Sequence, residues 1–213
     1  ASPAGKRINL IYNPPLVDAD LGIRRGSIAE SASLARLLLR YPLQGIVFSV
    51  TRRSVEMLLL SVGENAMESV ASYRSGYLPS ERRQIESALR EGNLRIVIST
   101  NALELGIDIG SLDVAIINGY PGSISAVRQE AGRAGRKANS ALCVLLAAAN
   151  PLDQYICRHP EYLWDNNPEH ALIDPDNMEI LLKHLHCSIS ELAMRDDEDF
   201  GTLKAVALWG YLS

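Results

Sequence analysis

The stretch QEAGRAGR, Gln129 to Arg136, interleaves two glycines with two arginines behind a leading glutamine. Read as one continuous helix, it sets Gln129, Arg133 and Arg136 at i, i+4 and i+7, so that all three point one way. An interior glycine costs such a helix roughly 1 kcal/mol relative to alanine, so Gly132 and Gly135 must answer to something other than helix stability. The reading that follows is that they leave the neighbourhood of the arginines bare, letting a ligand or another domain approach the backbone. Two permanently charged, forked donors in such a setting suit a polyphosphate, whose transferring group spreads negative charge in its transition state. A second candidate cluster is TNALELGIDIG, residues 100–110, which follows a β-branched run directly.

The elements that position these residues alternate. INLIY (8–12), GIVFSV (45–50), LRIVIST (94–100), LDVAIIN (112–118) and ALCVLL (141–146) are near-continuous apolar runs, the pattern of strands buried on both faces. SVASYRS (69–75) adds a shorter strand, and helical patterns occupy 27–40, 52–62, 79–92 and 124–136. This alternation predicts an α/β fold, a doubly wound parallel sheet over residues 1–149. In such a sheet ligands bind at the carboxyl ends of the strands, where both candidate clusters are expected. From residue 150 the texture changes. Pro151, Pro160, Pro168 and Pro175 punctuate short helices, and 200–213 reads as one more amphipathic helix. Residues 150–213 are therefore expected to form an appended helical segment.

The net charge of −4 conceals an asymmetry. Residues 1–149 hold 17 Lys/Arg against 13 Asp/Glu, and residues 150–199 hold 3 against 12. Basic surface belongs to the first part, so the overall sign does not argue against an anionic partner. No run of about 18 apolar residues occurs, the start ASPAGKR is not a signal peptide, and three scattered cysteines suit a reducing compartment. The expectation is an intracellular protein, cytoplasmic in a prokaryote and nuclear in a eukaryote, with no membrane partner. KHLHCS (183–188) does not have the spacing of a zinc site, so no metal ligands are expected there.

Four segments in order resemble the motifs of superfamily 2 helicases. GIVFSVTRRSVEMLL (45–59) resembles motif IV, YRSGYLPSERR (73–83) the motif after it, STNALELGIDIG (99–110) motif V, and QEAGRAGR motif VI. YNPPLVD, LGIRRGS, NPLDQYICRHPEYL and PEHALIDPDN are similar to the narrower MrfA (YprA)/Hrq-type family of ATP-dependent, DNA-repair-linked 3′-to-5′ DNA helicases. The resemblance implies a second RecA-like domain, with residues 150–213 as the start of a winged-helix-like accessory domain. It implies that Arg133 and Arg136 are arginine fingers, with Gln129 orienting the phosphate end. Gly106 and Asp108 would belong to the nucleotide site. Thr100, Asn101, Ser49, Arg52, Arg53 and the backbone of Gly76 would hold nucleic-acid phosphates. Ser75 stands where many relatives have histidine. The implied partners are single-stranded or tailed DNA, with RNA left open, and an N-terminal RecA-like domain of the same protein.

No G-x-x-x-x-G-K-[ST] occurs in the 213 residues, and no Asp-Glu-x-His-type box. ATP and Mg²⁺ are therefore implied only together with that N-terminal domain. Other readings compete. Arg133 and Arg136 would be solvated helix charges, Asp108 a cap, and Arg52 and Arg53 merely exposed. Tyr73, Tyr77, Tyr120 and Cys143 read as packing residues. At the level of the whole protein, a non-catalytic nucleic-acid-binding or scaffold module and a double-strand translocase or remodeller are the rivals to a helicase.

Overall fold

The computed structural model describes residues 6–63, 66, 68–73, 76–100, 112–135, 140–169, 174, 177–195, 197–200, 203–204 and 207. The chain forms two compact units, 1–169 and 170–213.

The first unit opens with β1 (Arg7–Tyr12), a small hairpin of β2 (Leu16–Asp18) and β3 (Ile23–Arg24), and α1 (Ser27–Leu38). Then come β4 (Gly45–Ser49), α2 (Arg52–Val62), β5 (Val70–Tyr73), α3 (Pro79–Arg90), β6 (Ile96–Ser99), β7 (Val114–Asn118), α4 (Ile124–Ala131) and β8 (Ala141–Leu146). It closes with α5 (Pro151–Arg158) and α6 (Glu161–Trp164). Six strands make one sheet in the order β1-β8-β7-β4-β6-β5, every neighbouring pair parallel. This is the doubly wound sheet expected from the alternation.

Successive side chains of a strand face opposite ways, and two separate cores result. Ile46, Phe48, Val97, Ala115, Ile117, Cys143 and Leu145 pack on one face with Leu89 of α3 and Ile124, Val127 and Ala131 of α4. Val47, Ile96, Ile98, Val114, Ile116 and Val144 pack on the other with α1 (Ala32, Ala35) and α2 (Val55, Leu58, Val62). Each fully buried aliphatic side chain contributes about 1.5–3 kcal/mol relative to exposure, which is why near-continuous apolar runs are required.

The boundary falls later than residue 149. Ile156 of α5 and Leu163 of α6 are wholly buried in the same core as α3 and α4. Pro151 stands in the first turn of α5, where its missing N–H costs nothing, and Asn150 caps the helix by accepting from the Asp153 amide at 2.9 Å. Residues 150–169 thus complete the sheet rather than begin an extension.

In the second unit α7 (Met178–Glu191) is capped by Asn177 and buries Leu181 and Leu185 against Ile189, Met194 and Phe200. β9 (Asp199–Phe200) and β10 (Leu203–Lys204) pair antiparallel. The helix expected over 200–213 is therefore not formed at its start.

Ile156→Ala should destabilise the whole sheet by about 2–5 kcal/mol, read as a shift of the main urea-unfolding midpoint. An unchanged midpoint would restore the boundary at 149.

Candidate nucleotide and nucleic-acid site

The carboxyl rim of the sheet is unusually polar for strands otherwise built of Ile and Val. β4 ends in Ser49, β6 in Ser99 and β7 in Asn118, all buried. Ser49 and Asn118 are direct neighbours across the sheet, and the Asn118 amide donates to Ser49 Oγ at 3.2 Å. Ser49 in turn donates to Ser54 Oγ at 2.7 Å. Ser54 and Thr51 form a reciprocal capping box at the start of α2, with Ser54 N–H donating to Thr51 Oγ1 at 3.1 Å and Thr51 N–H to Ser54 Oγ at 3.1 Å. Asn118 Oδ1 is buried without a hydrogen-bond partner among the described residues.

This network corrects the expectation for Ser49. Its hydroxyl proton is spent inside the protein and the residue is only 5% exposed, so it braces the rim instead of presenting a free donor. Arg52 and Arg53, in contrast, stand exposed in the first turn of α2. Gly76 is exposed with φ +103°, a conformation glycine tolerates, in the loop ahead of α3. Thr100 follows β6 and is 5% exposed. Asn101, Gly106, Asp108, Ser75 and Arg136 lie outside the described residues.

The largest departure from the sequence reading concerns QEAGRAGR. α4 stops at Ala131, and Gly132 is its C-cap. Gln129 is exposed on the helix, whereas Arg133, in the turn beyond, is 9% exposed, so the two do not share a helical face. The chain then returns to the sheet. Ala134 pairs in parallel with Leu112, and the Gly135 amide donates to the Leu112 carbonyl at 3.0 Å. Gly135 has φ +84°, and a Cβ there would lie 2.8 Å from the Cβ of Ala141. Gly135 is thus present because the turn is left-handed and presses on β8, not to open space beside arginines.

The turn also lies at the amino ends of β7 and β8, not on the carboxyl rim. The Leu112–Ala134 bridge joins the QEAGRAGR turn to the residue two positions before β7. α4 connects the two regions. Its eight residues span about 12 Å, from a start at the carboxyl rim to Ala131, two positions before Arg133.

Two carboxylates missed by the sequence reading fix the upper end of this rod. Asp153, 3% exposed, accepts from the amides of Tyr120 at 3.1 Å and Ala148 at 2.7 Å, tying the loop before α4 to the end of β8. Glu169 accepts from Ile124 N–H at 2.5 Å and Ser125 N–H at 3.1 Å, satisfying two orphan donors at the start of α4 beside the Ser123 cap. These bonds, that from Ile124 foremost, hold the Glu169 carboxyl below its usual range. Cys143 is a packing residue whose thiol burial pushes up to about 12. Tyr73 is buried with its hydroxyl donating to Glu86 at 3.2 Å. Among the described residues no three His, Cys, Asp or Glu side chains are grouped to hold a metal, and no helix is long and apolar enough to cross a membrane.

The sheet thus carries a braced polar rim at its carboxyl ends and an arginine-bearing turn at the amino ends of β7 and β8. The chain belongs to the helicase conserved C-terminal domain family, which it matches over residues 30–138. Over 99% of its length it is 46% identical to the protein called uncharacterized ATP-dependent helicase YprA in Bacillus subtilis, of which it spans 29%. It is 38% identical over 93% of its length to the ATP-dependent helicase HRQ1 of Saccharomyces cerevisiae, spanning 20% of that protein. The crystal structure of the helicase MrfA bound to DNA superposes with a TM-score of 0.90 at 46% identity, covering 99% of this chain and 29% of that one. The sheet is therefore RecA-like, and the chain spans less than a third of these relatives.

Glu169→Gln should lower the melting temperature at pH 7. Because the folded-state carboxyl titrates below its unfolded value, its contribution is present above about pH 4.5 and disappears as pH falls through the folded value. The gap between wild type and E169Q should close on acidification, and a gap independent of pH would contradict the capping role.

Proposed function

We propose that this chain is the C-terminal motor domain of an ATP-dependent DNA helicase of 3′-to-5′ polarity, acting in DNA repair within the cell. The observation that carries this reading is the match, over almost the entire chain, to a helicase crystallised on DNA. A related crystal structure holds both DNA and AMPPNP, at a TM-score of 0.85 and 44% identity.

The residues present fit one side of a nucleotide site. Arg133 supplies guanidinium charge in the turn that bridges to Leu112, and Gln129 is exposed one helical turn earlier. Arg136 follows it by three positions. The sequence has no phosphate-cradling loop and no acidic Mg²⁺ box, so those parts belong to an N-terminal RecA-like domain of the same protein. ATP with Mg²⁺ supplies the hydrolysable anhydride there. This domain adds positive charge where the transferring group becomes most anionic.

Single-stranded DNA is held at the opposite end of α4. Arg52 and Arg53 offer charged donors, the α2 N-terminus offers amides, and Gly76 offers an unobstructed backbone. Phosphate contacts give affinity without sequence choice, which a translocating enzyme requires. Capped at its start and ended by Gly132, α4 transmits displacement between the nucleotide side and the DNA side as a short rigid rod.

Arg136→Ala in the full-length protein should reduce DNA-stimulated ATP turnover by a factor on the order of 10³ while DNA binding persists. Turnover within a few-fold of wild type would sink the finger assignment. The 213-residue chain by itself should show no ATP hydrolysis above background in a phosphate-release assay, and sustained turnover would place a complete site within it.

A further inference from the structure

Three segments far apart in sequence meet at one corner of the carboxyl rim. Asn13, just past β1, and Gln154 of α5 exchange reciprocal side-chain hydrogen bonds, Asn13 Nδ2 to Gln154 Oε1 at 3.0 Å and Gln154 Nε2 to Asn13 Oδ1 at 3.1 Å. Gln154 Nε2 also donates to the Ala148 carbonyl at 3.0 Å, at the exit from β8. Arg24, the last residue of β3, donates through Nε to Gln154 Oε1 at 3.2 Å and through Nη1 to the Pro14 carbonyl at 2.7 Å. A cleft of about 320 Å³ opens here, lined by Leu16, Gly22, Arg24, Ala149, Gln154 and Arg158.

The orientation of Arg24 is set by neutral acceptors, which leave its charge uncompensated. Neither Arg24 nor Arg158 has an ion pair among the described residues, and Arg24 Nη2 and the whole Arg158 guanidinium have no acceptor there. Four acids of these segments have partners of their own, among them Glu161, which pairs with His159 at 3.0 Å. Asp153 holds the Tyr120 and Ala148 amides, Asp18 accepts from the Leu21 amide at 3.0 Å, and Glu30 pairs with Arg25 at 3.1 Å. Two unpaired guanidiniums facing one cleft, one of them pre-positioned by a side-chain network, form a receptor for a phosphodiester.

One step round α5 from Arg158, Tyr155 is 48% exposed and packs on the His159 ring with centroids 4.4 Å apart. An exposed aromatic three residues before a cleft-lining arginine on the same helix offers a base a ring to stack on while the phosphate sits in the cleft. The cleft lies on the same rim as Arg52 and Arg53, but on the far side of β7, beside β8 and β1. From β4 to β1 is three strand spacings, about 14 Å, enough to space further contacts along one strand of DNA.

We propose that Arg24 and Arg158, framed by Asn13, Gln154 and the β2–β3 hairpin, form a second phosphate-binding subsite for single-stranded DNA, with Tyr155 as its stacking platform. This rests on the reading of the chain as a DNA-translocating motor domain. It assigns a role to the LGIRRGS and NPLDQYICRHPEYL segments that the helicase motifs do not account for.

The test is fluorescence anisotropy of the full-length protein with a labelled oligo-dT over a series of salt concentrations. Arg158→Glu, at an exposed position without internal partners, should weaken binding about tenfold or more and lower the salt slope by about one. Arg24→Ala with Arg158→Ala should lower the slope further, while Arg158→Lys should retain it. Tyr155→Ala should weaken binding with the slope unchanged. Affinity and slope of R158E within twofold of wild type, with wild type binding normally, would overturn the subsite and leave the motor reading intact. Failure of wild type to bind oligo-dT would overturn both.

Discussion

The central strands of this parallel sheet are covered on both faces and leave their rims to ligands, and at those rims the chain leaves the hydrogen-bonding ladder. Every peptide group in the turns must find a partner, and here the partners at the carboxyl rim are side chains. Asn118 and Ser49 lock β7 to β4, Ser54 and Thr51 close the start of α2, Asp153 ties the β7 exit to the β8 exit, and Glu169 caps α4. Losing a buried partner of this kind leaves amides unsatisfied at about 1–3 kcal/mol each. Their strength lies in position: they hold the loops that carry the exposed cations without themselves reaching the ligand.

This division separates buried bracing residues from exposed cations. Ser49 and Asp153 are buried and spent on the protein, whereas Arg52, Arg53 and Arg158 are exposed. It also leaves two polar regions apart in space. The basic turn at Arg133 lies at the amino ends of β7 and β8, and the carboxyl rim lies at the other end of α4. A helix pinned by a cap at one end and by a bridge to Leu112 just beyond the other is stiff along its axis. On the proposed reading, that stiffness carries events at the nucleotide to the strand held on the same domain.

The sheet was legible in the sequence because strands buried on both faces must be apolar throughout. GIVFS, IVIS, VAIIN and ALCVLL emerged close to their observed limits for that reason. The end of α4 was not legible. Periodicity extends a helix through AGRAGR despite the cost of its glycines, while the return of the turn to the sheet, with Gly135 against Ala141, depends on a strand that comes later in the chain. The domain boundary was misplaced because acidic, proline-punctuated composition after residue 149 reports on the surface. The burial of Ile156, Leu163 and Asp153 depends on single positions within it. The Asn13–Gln154 pairing spans 141 positions and has no local signature. Polar residues closing apolar strands were the available signal for the rim, and Asn118 could have been found by it.

The account depends most on which rim of the sheet meets DNA. Photo-crosslinking of the full-length protein to an oligo-dT carrying reactive thymines, mapped by mass spectrometry, measures this directly. Adducts should concentrate on peptides covering residues 49–54, 73–78 and 152–159, at the carboxyl ends of the strands. Adducts confined to residues 36–44 and 90–96, at the amino ends of β4 and β6, would contradict it.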